Sequence, residues 1–330
     1  MKKIIPIFLL LPLLGLLSLT EFSNSLGNID SQKPVREVLT ALGEPQPDHF
    51  ISSMPAKASI EIGENIVFTG TAESVSLQSP HFVCTSCHNV EKEFADLRDT
   101  DPQKRLEYAV ENDLPFLPAS PFYGIVNRTS WYNGDYEKKY GDLVIPARKD
   151  LRAAIQLCAV ECSQGRLLKN WELESVLGYL WTLELKMEDL AIPENEYPKF
   201  ENGNSKNTAS LIADLKSYYP QSSPAHFVTP PEDRRTGYDV VGNAENGEKL
   251  FNHSCLHCHQ DQRYSFFELN DSKITKKFLG KHFPKYSRYS IYQVSRHGAP
   301  SHPGKRAYMP QFTKEKMSDQ QIEDLRAYLE

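Results

Sequence analysis

Two short segments of this 330-residue chain carry the side chains best suited to chemistry. Both read C-x-x-C-H, at residues 84–88 (the first motif) and 255–259 (the second motif). Thiols at i and i+3 can each form a thioether with one vinyl group of a porphyrin, and the imidazole that follows can ligate the iron. The motifs therefore predict two covalently bound haem c groups. The attachment residues would be Cys84, Cys87, Cys255 and Cys258, and the proximal iron ligands would be His88 and His259.

Two other chemistries also use C-x-x-C pairs. Four cysteines in two such pairs can hold a structural zinc ion, and one pair can act as a redox-active dithiol. Neither chemistry explains a histidine placed identically after both pairs. The repeated histidine therefore favours haem attachment over both alternatives.

Helical periodicity surrounds both motifs and predicts a mainly α fold. Apolar residues recur at helical spacing over 171–185, and Ser318 with Gln321 forms a capping box before a closing helix that ends at Leu329. Proline, asparagine and serine dominate residues 192–236, which predicts a long irregular linker between two helical domains. The predicted divisions are a signal peptide at 1–25, an arm at 26–55, a first domain at 56–191, the linker at 192–236 and a second domain at 237–330.

The chain ends and the composition limit the location and the partners. Met1, Lys2 and Lys3 precede an apolar stretch over 4–19, which is typical of a secretory signal and predicts export to the periplasm. An uncleaved anchor is the alternative, although this stretch is shorter than the ~20 residues of a membrane helix. No stable membrane span is expected after signal cleavage. The net charge of -6 argues against nucleic acid and favours basic protein partners.

The second domain resembles class I cytochromes c over about Asp239 to Glu330. The shared features are a helix before C-x-x-C-H, a loop holding Met-Pro and a terminal helix. In that family the methionine of the loop is the sixth iron ligand, which implies Met309 here. Met317 is a rival at an apolar position that suits the core. His297 and His302 are further alternatives, since a second imidazole can also ligate haem iron.

The first motif lacks such a methionine between His88 and the helix predicted at 171–185. The segment 151–166 lies where a ligand loop is expected, and it holds Cys158 and Cys162. A disulfide between them is one alternative, but residues i and i+4 of a helix have Cβ atoms ~5–6 Å apart, against ~3.5–4.5 Å in a disulfide. Free buried thiols are another alternative, and thiolate ligation of the iron is the third. Counting back from the helix favours Cys162 as the ligand.

The same segment also carries a resemblance. Ile155-Gln156-x-Cys158-x-x-x-Cys162-x-Gln164-Gly165 is similar to the ligand segment of diheme thiosulfate dehydrogenases and of the related haem subunit of the Sox system, over residues 79–185. That resemblance implies Cys158 as a thiolate ligand opposite His88, with Cys162 as the runner-up. It also implies oxidative coupling of thiosulfate to tetrathionate. The arginines that could bind such an anion beside the haem are Arg152 and Arg166 first, then Arg128 and Arg148.

The function expected from these features is electron transfer by an exported diheme c-type cytochrome. One hypothesis is an oxidoreductase that acts on small sulfur anions. The alternative is a non-enzymatic electron shuttle, or the cytochrome subunit of a respiratory complex. In either case the partners would be redox proteins such as cytochromes or a terminal oxidase. A peroxidase would need a displaceable ligand, which the cysteine segment does not suggest.

Overall fold

The structure is a computed structural model that describes residues 29–72, 77–79, 81–201, 207–299 and 308–330. In these ranges the chain forms α-helices and no β-strand, which confirms the predicted mainly α fold. None of the described helices is both long enough and apolar enough to cross a membrane. The predicted signal peptide and His302 lie outside the described residues. The helices are α1 (Val35–Ala41), α2 (Ile60–Thr69), α3 (Pro102–Glu111), α4 (Gly134–Tyr140), α5 (Leu151–Leu157), α6 (Asn170–Trp181), α7 (Thr208–Lys216), α8 (Ala244–Leu250), α9 (Leu256–His259), α10 (Lys273–His282), α11 (Ile291–His297) and α12 (Asp319–Leu329).

Helices α2 and α6 pack closely and define the first unit, α2 to α6. A Cβ atom at Gly63 of α2 would overlap the carbonyl oxygen of Ser175 in α6, so only glycine permits this approach. The hydroxyl of Ser59 caps α2 by accepting the Ile62 N–H at 3.1 Å. Helix α6 ends at Trp181, four residues before the predicted end at 185, because the chain tightens into a turn in which Thr182 N–H donates to Tyr179 O at 2.9 Å.

Helices α8 and α12 form the corresponding pair of the second unit, α8 to α12. Here a Cβ atom at Gly247 of α8 would overlap the carbonyl oxygen of Asp324 in α12. The predicted capping box is confirmed, since Gln321 N–H donates to Ser318 Oγ at 3.1 Å and Ser318 N–H donates to Gln321 Oε1 at 3.0 Å. Each motif therefore follows a helix that a later helix crosses at a glycine.

The two units share a hydrophobic core. Helix α3 belongs to the first unit, yet Leu106 and Ala109 of this helix lie in one buried cluster with Leu250 and Leu325 of the second. The chain just beyond α3 joins the same contact, because Phe116 N–H donates to the His253 carbonyl oxygen at 2.8 Å. The core of the second unit is thus completed by residues from the first.

A buried ion cluster lies at the same junction. Glu93 accepts from Arg105 Nε at 2.8 Å and from Lys316 Nζ at 2.8 Å, and all three side chains are buried. Burial alone would raise the pKa of Glu93, but the two cations outweigh it and lower the pKa to about 2. Because Lys316 comes from the second unit, this cluster links the two units through charge.

The predicted arm and linker hold more structure than their composition indicates. The arm contains α1, and the linker contains α7 and a 3₁₀ turn at Glu194–Phe200. Val35 of the arm and Leu215 of the linker lie in one buried cluster with Leu185, which follows α6. The two segments therefore pack against each other and against the first unit, while no helix forms over 217–243.

Candidate haem sites

The second motif presents a histidine whose tautomer is fixed by the backbone. His259 Nδ1 lies 2.7 Å from the carbonyl oxygen of Phe267, and because a carbonyl only accepts, Nδ1 carries the proton. Burial lowers the pKa of His259 and so favours the neutral ring. The unprotonated Nε2 is then free to bind a metal, and this is the arrangement expected of an axial haem ligand.

The first motif repeats this arrangement. His88 Nδ1 donates to the carbonyl oxygen of Ser120 at 2.6 Å, and the ring stacks on Phe122 with centroids 4.4 Å apart. Burial lowers the pKa of His88 to about 4, so that this ring is neutral as well. Both motif histidines therefore offer Nε2 to iron, with the opposite nitrogen held by a backbone carbonyl.

A cavity of about 230 Å³ adjoins the second motif. Its wall includes Cys255, Cys258 and His259, and also Met309, the predicted sixth ligand. Paired backbone hydrogen bonds between Met309 and Ala299, both 3.0 Å, fix the methionine segment against the end of α11. The remaining wall is largely apolar and includes Leu269, Ile291, Phe312, Met317 and Leu325. Two thiols, a neutral imidazole and an apolar wall together fit a covalently bound haem.

The alternatives to Met309 differ in where the structure places them. Met317 also lines the cavity, but it is 1% exposed and is packed in the shared core, as its sequence position indicates. His297 is exposed at the end of α11 and is not among the residues that line this cavity. The assignment of Met309 as the ligand stays a prediction.

The structure brings the two motifs close together, which the sequence does not reveal. Cys87 of the first motif lines the same cavity as Cys258 of the second, and the Cys258 thiol adds to the rise that burial causes in the pKa of Cys87. Phe82 and Tyr308 also line this cavity, with ring centroids 5.6 Å apart. Across the described residues, no group of three or more His, Cys, Asp or Glu side chains could hold a metal ion, so the zinc alternative gains no support.

Cys158 and Cys162 lie on a single π-helical turn that continues α5, closed by a hydrogen bond from Ser163 N–H to Cys158 O at 2.9 Å. No disulfide joins Cys158 and Cys162, so that alternative is not observed. Instead the two side chains are hydrogen-bonded to each other, which raises the pKa of Cys158 and lowers that of Cys162. The thiols of Cys84 and Cys87 also contribute to the raised pKa of Cys158. The cysteine pair therefore lies beside the first motif.

Three tyrosines surround this cysteine pair and were not singled out in the sequence. Tyr132 and Tyr136 meet edge to face with ring centroids 4.9 Å apart, and Tyr136 stacks on Tyr140 with centroids 6.1 Å apart. Burial raises the pKa of each phenol, and the Cys162 thiol adds to the rise. Tyr136 and Tyr140 lie at i and i+4 on α4, a spacing that places them on one helical face, while Tyr132 lies just before this helix.

The arginines named as candidate anion ligands separate into two groups. Arg152 forms a bidentate ion pair with Glu174, at 2.6 and 2.9 Å, and Arg166 forms one with Glu172, at 2.7 Å for both contacts. Arg148 pairs with Glu137. Among the described residues, the side chain of the buried Arg128 makes only one hydrogen bond, to Ser223 Oγ, and no carboxylate there forms an ion pair with it.

The family comparison covers the second unit. Residues 242–329 match the family described as cytochrome c oxidase, cbb3-type, subunit III. No curated protein and no solved structure matches the chain. The matched range begins just before α8 and ends with α12, so it includes the second motif, its cavity and Met309, and it excludes the first motif. Residues 242–329 therefore form a c-type cytochrome domain, which binds haem c covalently and transfers electrons.

Proposed function

We propose that the chain is an exported diheme c-type cytochrome in which the first motif holds a second covalent haem c. One observation is the main support for this proposal. His88 donates from Nδ1 to the Ser120 carbonyl just as His259 donates to Phe267, so the two motifs present the same ligand nitrogen in the same tautomer. Export is supported by the apolar N-terminal pattern, because haem c attachment suits a compartment outside the cytoplasm.

The two irons would have different sixth ligands. Met309 lines the cavity of the second motif, and a neutral thioether raises the potential of haem iron. Cys158 is our first choice for the first motif because of the resemblance of its segment, and Cys162 is the runner-up. The hydrogen-bonded pair that they form lies near Cys84 and Cys87. A thiolate is anionic and strongly donating, so it lowers the potential. The first site would then hold the lower-potential haem.

The chain's own contribution is to hold these sites side by side and away from water. When bound, the haems supply reversible one-electron transfer at iron. Cys87 and Cys258 line one cavity, and the paired rings of Phe82 and Tyr308 lie on the wall of that cavity. Electron exchange within one protein is favoured by such an arrangement, with a redox partner such as another cytochrome or a terminal oxidase as the final acceptor.

The specific reaction that we propose is the oxidation of a small sulfur anion at the first site. Two thiosulfate ions would form one tetrathionate and release two electrons. The support is the cysteine segment and its resemblance to thiosulfate dehydrogenases. Arg152 and Arg166 remain candidate substrate ligands, but each would have to leave a bidentate pair with a carboxylate of α6 to bind an anion.

A second candidate function is a non-enzymatic electron shuttle or the cytochrome subunit of a respiratory complex. It is favoured by the description of the matching family, which is a cytochrome c oxidase subunit. The two functions differ in whether sulfur anions reduce the protein. Reduction of the ferric holoprotein by thiosulfate, with tetrathionate formed, supports the enzyme. A protein that thiosulfate leaves ferric, but that a partner cytochrome oxidises rapidly once reduced, contradicts it and supports the shuttle.

Low-temperature EPR of the ferric holoprotein tests the ligand assignment. Cys158→Ala should remove the thiolate-type low-spin signal, while the matched variant Cys162→Ala should keep it. The reverse result would transfer the ligand role to Cys162. A signal that neither substitution alters would contradict thiolate ligation, and with it the main support for the sulfur-anion reaction.

A further inference from the structure

A second cavity, of about 390 Å³, lies next to the residues that hold His88 in place. Ser120, whose carbonyl accepts from His88, is part of its wall, and none of the six cysteines is. Buried Arg128 and Tyr219 line its interior, while Ser217 and Ser222 of the linker are exposed and line it as well. The cavity therefore joins a buried interior to solvent, and a dissolved ion can reach it.

Arg128 is a buried cation that forms no ion pair with any described carboxylate, and Glu93, which already binds Arg105 and Lys316, only partly offsets its charge. Its side chain is 7% exposed and donates to Ser223 Oγ, although a guanidinium has five N–H donors. Burial lowers its pKa to about 10, so the group still carries its charge at neutral pH. A buried charge that lacks a partner is costly, and an anion in the cavity would remove this cost.

Tyr219 supplies a second, independent observation in the same cavity. The side chain is 3% exposed, and among the described residues its buried hydroxyl has no hydrogen-bond partner. Burial raises the pKa of this phenol to about 12, and the Gln221 amide approaches it without hydrogen-bonding geometry. A neutral O–H donor is thus left unused in a residue that lines the same cavity as the Arg128 guanidinium, and together they suit an acceptor-only ligand.

The carboxylates on the cavity wall are already engaged and cannot serve as that ligand. Glu93 binds Arg105 and Lys316, Glu315 accepts from His226, and Asp99 pairs with Lys104. The remaining acceptor must therefore come from outside these side chains.

We propose that this cavity binds a small dissolved oxyanion of the sulfate or phosphate class, held by the Arg128 guanidinium and the Tyr219 hydroxyl. Charge-assisted hydrogen bonds from arginine suit the oxygen atoms of such ions. Two sources could supply oxygen ligands of this kind, a dissolved ion or a carboxylate of the haem at the first motif. The exposed serines at the cavity make the dissolved ion our choice, and the experiment separates the two.

The bound anion would be connected to the first motif by hydrogen bonds. Arg128 donates to Ser223 Oγ, which lies 2.9 Å from Ser120 Oγ, and the Ser120 carbonyl accepts from His88. A negative charge here should favour ferric iron, so the anion should bind the ferric protein more tightly than the ferrous one. By linkage, the reduction potential of the haem at this site should fall by about 59 mV for each tenfold by which the ferric protein binds the anion more tightly than the ferrous protein. This coupling rests on the proposed haem at the first motif.

Isothermal titration calorimetry of the ferric holoprotein with sodium sulfate, at ionic strength held constant with sodium chloride, tests the site. We expect saturable binding of one ion. Arg128→Gln should weaken it by about tenfold or more, because a hydrogen bond to a charged group is lost. Tyr219→Phe keeps the ring and should weaken it by about threefold or more. Arg98→Gln is the control, because Arg98 lines the same cavity but pairs with Asp96, and its affinity should stay within about twofold of the wild type.

Two outcomes would overturn the proposed site. The wild-type holoprotein would show no saturable sulfate binding if a haem carboxylate occupied Arg128. Binding that both Arg128→Gln and Tyr219→Phe leave unchanged would place the ion elsewhere. Tyr219→Phe keeps the test decisive even if Arg128→Gln fails to fold. A potential at the first motif that sulfate does not change would overturn the coupling to His88. Calorimetry measures sulfate binding and does not depend on the ligands of that haem. The proposed anion site can therefore be disproved without disproving the proposed function, and the reverse also holds.

Discussion

The two C-x-x-C-H motifs share their local chemistry and differ in what surrounds them. In both, a backbone carbonyl fixes the histidine tautomer, and the motif follows a helix crossed by a later helix at a glycine. The second motif adjoins an apolar cavity that includes Met309. The first has as neighbours a hydrogen-bonded thiol pair, three tyrosines in ring contact and a buried arginine that forms no ion pair with a described carboxylate. The same histidine arrangement thus occurs in two environments, and differences in redox behaviour should come from residues outside the motifs.

The two units nevertheless depend on each other. Helix α3 of the first unit lies in the core of the second, and Glu93 is held by Lys316 across the junction. Changes at the junction should therefore affect both units, whereas changes at one motif should affect one haem. The effects of such substitutions therefore distinguish interactions within one motif from interactions that link the two units.

The largest expected effect is the loss of one of the two haems that we propose for this protein. The double variant Cys84→Ala/Cys87→Ala removes both thioether bonds at the first motif, and Cys255→Ala/Cys258→Ala does so at the second. Each should reduce the haem content by half, measured by the pyridine haemochrome absorbance per mole of protein and by intact mass. Cys162→Ala is the control and should retain both groups. Full haem content in the first double variant would show that the first motif carries no covalent haem.

Glu93→Gln should have the next largest effect, because it leaves Arg105 and Lys316 buried without their counter-charge. Breaking a buried pair in this way costs about 3–5 kcal/mol of unfolding free energy. Denaturant unfolding followed by circular dichroism measures the loss. Glu91→Gln is the matched control at an exposed position nearby, and it should change stability by less than about 0.5 kcal/mol. Equal stability of the two variants would mean that the cluster does not join the units.

The same cluster predicts a dependence on pH. Burial would raise the pKa of Glu93, but Arg105 and Lys316 lower it from 4.5 to about 2. Since the folded pKa lies below the unfolded one, the stabilisation is complete above about pH 4.5 and is lost as the pH falls towards 2. Between pH 5 and 3 the wild type should therefore lose about 2 kcal/mol more than Glu93→Gln. Parallel stability profiles would contradict the lowered pKa.

The fold could be predicted where a single segment of the sequence contains the pattern that determines its secondary structure. Helix α12 combines a capping box with a regular apolar face, and both features are readable without tertiary context. The end of α6 was placed too late, because Leu183 and Leu185 continue the apolar pattern after the helix has ended at Trp181. Helices α1 and α7 are short, lie among turn-forming residues, and owe their burial to each other rather than to a strong pattern.

The candidate site was predictable only in part, for the same reason. The motifs, Met309 and the cysteine segment could be named because residue type and spacing carry their chemistry. The approach of Cys87 to Cys258 depends on α3 packing into the second unit, which no local pattern encodes. The engagement of Arg152 and Arg166 by Glu174 and Glu172 likewise depends on how α6 packs.

The smallest expected effect tests whether the two helix pairs are as similar as they look. Gly63→Ala and Gly247→Ala each place a methyl group against a backbone carbonyl of the crossing helix, so each should cost about 1–3 kcal/mol of unfolding free energy. Gly134→Ala is the control, because its methyl group would meet no atom within 4 Å. Denaturant unfolding of the three holoproteins measures the comparison. A loss of unfolding free energy in Gly247→Ala but not in Gly63→Ala would mean that α2 and α6 can separate slightly. The two units would then resemble each other in their motifs but not in how their helix pairs pack.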